Sequence, residues 1–124
     1  MENPKKEFSI SKRVKSFSHA GRGIWVFFTT THNAWIHGAI LIITVALGFY
    51  FEITKMEWMM IIFAAGFVFA AEAFNTAIEI DIDLTSPEYH PRARDTKDVA
   101  AGAVLVAALT AFIVGLLIFA PYFI

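Results

Sequence analysis

The chain contains no cysteine. A disulfide framework, a thiolate metal site and a cysteine nucleophile are therefore excluded. It also lacks a GxxxxGK[ST] phosphate loop and the glycine-rich loop of soluble kinases, so any use of ATP requires a separate solution. Charged residues are scarce, at 17%, while hydrophobic residues reach 57%. With a mean hydropathy of +0.60, that apolar surplus must face lipid. The N-terminus is basic, but no short apolar run ending in a small-residue cleavage site follows it. It reads as mature protein rather than a signal peptide.

Its 124 residues make one domain's worth, a single membrane domain over 1–124. Residues 34–51 (AWIHGAILIITVALGFYF) form a first apolar stretch, near the lower length limit for a membrane helix. A polar turn, EITKME, occupies 52–57. A second stretch, 58–84, is longer than a span needs, so its last turns should emerge into the headgroups or cytoplasm. Residues 85–98 (TSPEYHPRARDTKD) read as a loop, because Pro87 and Pro91 break any helix. A third stretch, 99–119, is closed by Pro121. Its small residues recur at Ala103, Ala107, Ala111 and Gly115, a ridge that lets two membrane helices approach closely.

The cations set an orientation. Lys5, Lys6, Lys12, Arg13, Lys15 and Arg22 crowd the N-terminal tail and surface segment (1–30), and Arg92, Arg94 and Lys97 lie in the 85–98 loop. Both segments are expected in the cytoplasm, with the lysine-poor 52–57 turn outside. Within 7–28, basic positions mix with Phe8, Ile10, Val14, Phe17, Ile24 and Trp25. That mixture suits an amphipathic helix on the inner leaflet, with a break expected at Gly21 and Gly23. The fold class expected is all-α integral membrane: one surface helix and three transmembrane helices.

Glu72, Asn75, Thr76, Glu79 and Asp83 fall within roughly 100° of arc on one helix. Carboxylates on the inner half of a membrane helix are a site hypothesis by default. A carboxylate at headgroup level can take a proton from a lipid hydroxyl. A second, about 10.5 Å further along the helix axis, could hold Mg²⁺ together with phosphate oxygens; Glu72 and Glu79 have that spacing. Asn75 and Thr76 between them could orient a substrate hydroxyl. The competing reading is that these groups pair with other helices and only fix the bundle.

A second constellation, Arg92, Arg94, Lys97 and Asp98, stands at the mouth of the third helix, where cations and backbone N–H groups favour phosphate. By itself it only obeys topology; beside Glu79 and Asp83 it supplies both signs of charge, as a phosphate-and-metal site requires. His32 and His37, five apart, point to opposite faces of a helix and do not suit a zinc pair. Asp81 lies about 180° from Glu72 and marks where the helix has left the hydrocarbon.

The run from Ala71 to Ala108 (AEAFNTAIEIDIDLTSPEYHPRARDTKDVAAGAVLVAA) resembles the prokaryotic diacylglycerol kinase and undecaprenol kinase family. The matching pattern is E-x-x-N-[ST]-A-I-E-x-x-x-D, then S-P-E-x-H-P, then K-D-x-A-A-G-A-V-L. Phe17-x-His19-Ala20-x-x-Gly23 and Asn33-x-x-Ile36-His37 are similar to weaker N-terminal signatures. The resemblance implies a homotrimer in the bacterial inner membrane, N-terminus cytoplasmic, with active sites shared between subunits. It implies transfer of the γ-phosphoryl of MgATP to a membrane lipid alcohol, diacylglycerol or undecaprenol, with no nucleic-acid partner. Carried over by position, Glu72 would be the general base and Asn75 its partner. Glu79 would bind Mg²⁺ and nucleotide. Glu88, Tyr89, His90, Lys97 and Asp98 would line the nucleotide, and His19 occupies a position often given to tyrosine near it.

Three positions depart from the pattern. Thr31 stands where many members hold a glutamate that is a second metal ligand, Trp35 where arginine is common, and Asp81 where an apolar residue is usual. Two alternatives to a lipid kinase stay open at this point. One is a small oligomeric proton-coupled transporter with Glu72 as its proton site, which leaves Glu88, His90, Lys97 and Asp98 without a task. The other is a catalytically lapsed member of the same family.

Overall fold

The computed structural model describes residues 7–124, so Lys5 and Lys6 lie outside the described residues. Four helices follow in order: α1 (Ile10–Thr30), α2 (His32–Tyr50), α3 (Lys55–Thr85) and α4 (Pro91–Phe123). No strand occurs among the described residues. Helices α2, α3 and α4 are each long and apolar enough to cross a membrane. At 31 residues α3 would extend roughly 46 Å, well past a hydrocarbon core of about 30 Å, so its polar end has room to stand clear of the lipid tails.

Each helix start has a local cause. The Ser9 side chain accepts from Lys12 N–H ahead of α1. Thr54 and Glu57 form a reciprocal capping box at the start of α3, with bonds of 3.0 and 3.2 Å. This cap starts α3 at Lys55 and shortens the expected 52–57 turn. Between α2 and α3 the chain closes in a Schellman turn: Ile53 N–H donates to Gly48 O at 3.1 Å and Glu52 N–H to Phe49 O at 3.3 Å. Glu52 takes the left-handed conformation at φ 49° that this turn requires.

Three sequence expectations are corrected. The 85–98 loop shrinks to residues 86–90, and α4 starts at Pro91 rather than at 99. Pro91 occupies the first helical turn, where a missing N–H is harmless, and His90 caps it by accepting from Arg92 N–H at 3.1 Å. Helix α1 runs unbroken through Gly21 and Gly23, since glycine inside a helix costs about 1 kcal/mol rather than forbidding it. Pro121 lies inside α4 instead of closing it. The turn beyond it is held by Tyr122, which stacks on Phe51 at 5.4 Å and donates to Glu57 at 2.7 Å.

Packing is concentrated between α3 and α4, which run back along each other; α1 and α2 lean on α3 more lightly. Ile61 and Val68 on α3, and Ala100 and Ala107 on α4, are buried at seven-residue intervals, the repeat that keeps one stripe facing a partner helix. Of the small-residue ridge, Ala107 is fully buried, while Ala103 is exposed and Gly115 has open space beside it. The close approach occurs elsewhere. Gly48 lies against the Trp58 ring, where an added Cβ would stand 2.5 Å from Cη2. Trp58 also packs on the core made by Ile53, Ile61 and Ile118.

Candidate active site

Along α3 the polar stripe grades from buried to exposed. Glu72 is 1% exposed, Asn75 and Thr76 are half-buried, and Glu79 and Asp83 are open. Glu72 is the buried charged side chain among the described residues. Its Oε1 lies 3.0 Å from His37 Nε2, which α2 brings across. Its Oε2 is buried with no hydrogen-bond partner, and so is Asn75 Oδ1 one turn away. Both orphan atoms accept hydrogen bonds, and what they lack is a donor. A substrate hydroxyl is such a donor.

The Asn75 amide N–H points the other way, to Glu79 Oε1 at 3.4 Å, linking the buried and exposed parts of the stripe. Thr76 pairs with Thr31, their hydroxyls 2.8 Å apart. Thr31 joins α1 to α2, its N–H donating to Phe27 O at 3.0 Å, so the pair ties that corner to α3. Phe27 and Phe28 pack on Phe69 around the same junction, and Trp35 donates from its indole to Phe28 O at 2.8 Å. The position where the resemblance implies a second carboxylate is thus filled by a neutral hydroxyl pair.

At the exposed end Lys97 Nζ lies 2.6 Å from Asp83 Oδ1, joining α4 to the last turns of α3. This contact sets Lys97 beside the stripe. Asp98 pairs with Arg94 at 3.7 Å, and Arg92 with Asp95 at 3.6 Å. Glu88, Tyr89 and His90 lie exposed in the short connection, where the His90 ring nitrogen serves as the α4 cap. His19 lies on the exposed surface of α1, and no hydrogen bond among the described residues joins it to the stripe. No group of three or more His, Asp or Glu side chains that could hold a metal ion occurs among the described residues. Glu79 therefore stands as a single open carboxylate.

His37 also bounds an apolar cavity of about 390 Å³ between α2, α3 and α4, with Leu41, Ile61, Val68, Phe69 and Phe112 among its walls. In the sequence His37 is half of an unsuitable zinc pair and the end of a weak N-terminal signature, with no role assigned to it. Its place in Asn33-x-x-Ile36-His37 was the available signal, but nothing local connects it to a carboxylate 35 residues on.

The stripe thus runs from a buried carboxylate at Glu72 to exposed acids beside the basic start of α4, where Asp83 meets Lys97. The profile of prokaryotic diacylglycerol kinases matches residues 18–119. The chain belongs to this family. It is 45% identical over 112 residues to an undecaprenol kinase of Bacillus subtilis, covering 90% of this chain and 91% of that relative. It is 38% identical over 103 residues to a diacylglycerol kinase of Synechocystis, covering 81% and 58% of the two chains. An Escherichia coli diacylglycerol kinase is 26% identical over 111 residues, covering 84% and 85%. Nothing in these matches supports the transporter reading.

Proposed function

We propose that the chain is a lipid kinase of the bacterial inner membrane, transferring the γ-phosphoryl of MgATP to a lipid alcohol. The observation that carries this is Glu72: almost fully buried, one oxygen held by His37 and the other without a partner. A lipid hydroxyl donating to Oε2 satisfies that atom and places its proton on the base. As the lipid oxygen bonds to the γ-phosphorus, the O–H bond breaks toward Glu72. The bond from the γ-phosphorus to the bridging oxygen breaks in turn, and ADP leaves. Asn75 Oδ1, the other orphan acceptor, stands within a turn to orient the reacting groups. The apolar cavity beside His37 suits a substrate with a long hydrocarbon chain.

Glu79, exposed and touched by Asn75, would hold Mg²⁺, which accepts one or two carboxylates and completes its shell with phosphates. Its chemistry there would be to neutralise charge on the nucleotide phosphates. Lys97, set beside the stripe by Asp83, is suited to exchange that carboxylate for a phosphate. Glu88, Tyr89, His90 and Asp98 are placed near the same end of the bundle by the short connection and the start of α4. His19 is kept only as a resemblance. Assembly as a homotrimer, with the N-terminus cytoplasmic, completes the reading. The large apolar residues exposed on every long helix, such as Phe63, Phe74 and Phe112, require lipid or other copies to cover them.

The test is phosphate transfer from labelled MgATP by purified protein in mixed micelles, offering undecaprenol and diacylglycerol separately. Undecaprenol comes first, because the relative at 45% identity is named for it. Product with either lipid, lost in Glu72→Gln, supports the proposal. No product with either, from folded protein at saturating Mg²⁺, overturns it in favour of a lapsed member.

A further inference from the structure

Resting on the kinase reading, we infer that His37 is a positioning residue for the base: its Nε2 holds Glu72 Oε1 and thereby aims Oε2 at the lipid hydroxyl. A glutamate has three rotatable bonds, and the second oxygen of Glu72 has no hydrogen-bond partner to help fix its carboxyl group. Among the described residues, the Glu72 side chain is hydrogen-bonded by His37 of α2. That bond joins two helices that otherwise meet lightly, at a point where the imidazole is 22% exposed and the carboxylate 1%.

The chemistry of the pair gives the contact a direction. A carboxylate only accepts, so the Nε2 facing it carries the proton, and the ring donates. Donation to Oε1 leaves Oε2 as the oxygen free to receive the hydroxyl proton, which is the atom found without a partner. His37 thus divides the labour of the two carboxylate oxygens without touching the reacting atoms. A base that is itself oriented by a third group is a recurring arrangement in catalytic sites. The ring also meets Phe69 of α3 edge-on, with ring centroids 6.5 Å apart.

Loss of the imidazole frees the carboxylate to turn, and a misplaced reacting group can cost about 100-fold in rate. His37→Ala is therefore expected to lower kcat about 100-fold while leaving KM for ATP within twofold, because the nucleotide end of the stripe lies turns away. His37→Gln, whose amide N–H can reach the same oxygen, should recover kcat to within about tenfold of the unaltered protein. A merely structural histidine would instead move KM and stability together with kcat. Near-normal kcat in His37→Ala, or equal loss in both variants, overturns the inference.

A readout independent of turnover is the Nε2–H resonance in protein labelled with ¹⁵N-histidine, in which Glu72→Gln should shift the His37 signal. An unmoved signal overturns the pairing even in an active enzyme. If the unaltered protein phosphorylates neither lipid, the kinase reading fails by itself, and the resonance still decides whether His37 holds Glu72.

Discussion

On the kinase reading Glu72 sets function against stability, and Glu72→Gln separates the two. The side chain is 1% exposed, and one of its oxygens has no partner. An unsatisfied buried acceptor carries a penalty of about 1–3 kcal/mol, and more when it is charged. Glutamine keeps the shape and the contact with His37 while removing the charge. Stability should be unchanged or rise by about 1 kcal/mol in Glu72→Gln, by the same reasoning. Turnover should fall about 10²–10⁴-fold, the usual contribution of a general base. ATP binding should persist, since Glu79 and Lys97 are untouched. Glu72→Ala makes the contrast. It leaves His37 unpaired and a void behind it, and should lose about 1–3 kcal/mol. The assay pairs radiolabel transfer in mixed micelles with SDS-driven unfolding of the same preparations. Turnover within tenfold of normal in Glu72→Gln would refute its role as base. A loss of more than about 2 kcal/mol in that variant would show that the carboxylate is held for the bundle's sake.

Three further outcomes are expected. Gly48→Ala drives a Cβ to 2.5 Å from the Trp58 ring. The overpacking should cost about 1–3 kcal/mol, only partly offset by alanine's helix preference, with Gly66→Ala, where nothing lies within 4 Å, as the control in SDS unfolding. Lys97→Ala should raise KM for ATP at least tenfold with little change in unfolding, because its partner Asp83 is exposed; unchanged KM with lost stability would make the lysine a tie between helices. Thr31→Glu puts a carboxylate beside Thr76 and should lower the Mg²⁺ concentration for half-maximal activity several-fold. An unchanged Mg²⁺ titration would show that the neutral hydroxyl pair does not limit metal binding.

Much of the candidate site was legible because its parts lie on one helix. Glu72, Asn75 and Glu79 share a face by the geometry of α3 alone, whatever packs against it. Exposure towards the far end of the stripe followed from the length of the 58–84 stretch, but the near-complete burial of Glu72 did not. The boundary of α4 was misread because the same proline that breaks a helix interior is favourable in its first turn; only the cap from His90 distinguishes the two cases. Gly21 and Gly23 misled in a similar way, as a weak local preference that the surrounding helix overrides.

The chain's own chemistry determined that three apolar segments would form helices, since a lipid interior offers no other partner for backbone polar groups. It determined equally that the acids of α3 would line one face. Which partners those acids met was decided by tertiary structure. His37 reaches Glu72 across 35 residues, and Thr31 reaches Thr76 across 45. Such pairings depend on where helices cross and how closely they approach. Here that is set by contacts such as Gly48 against Trp58 and by the turn at Glu52, through packing that no local pattern encodes.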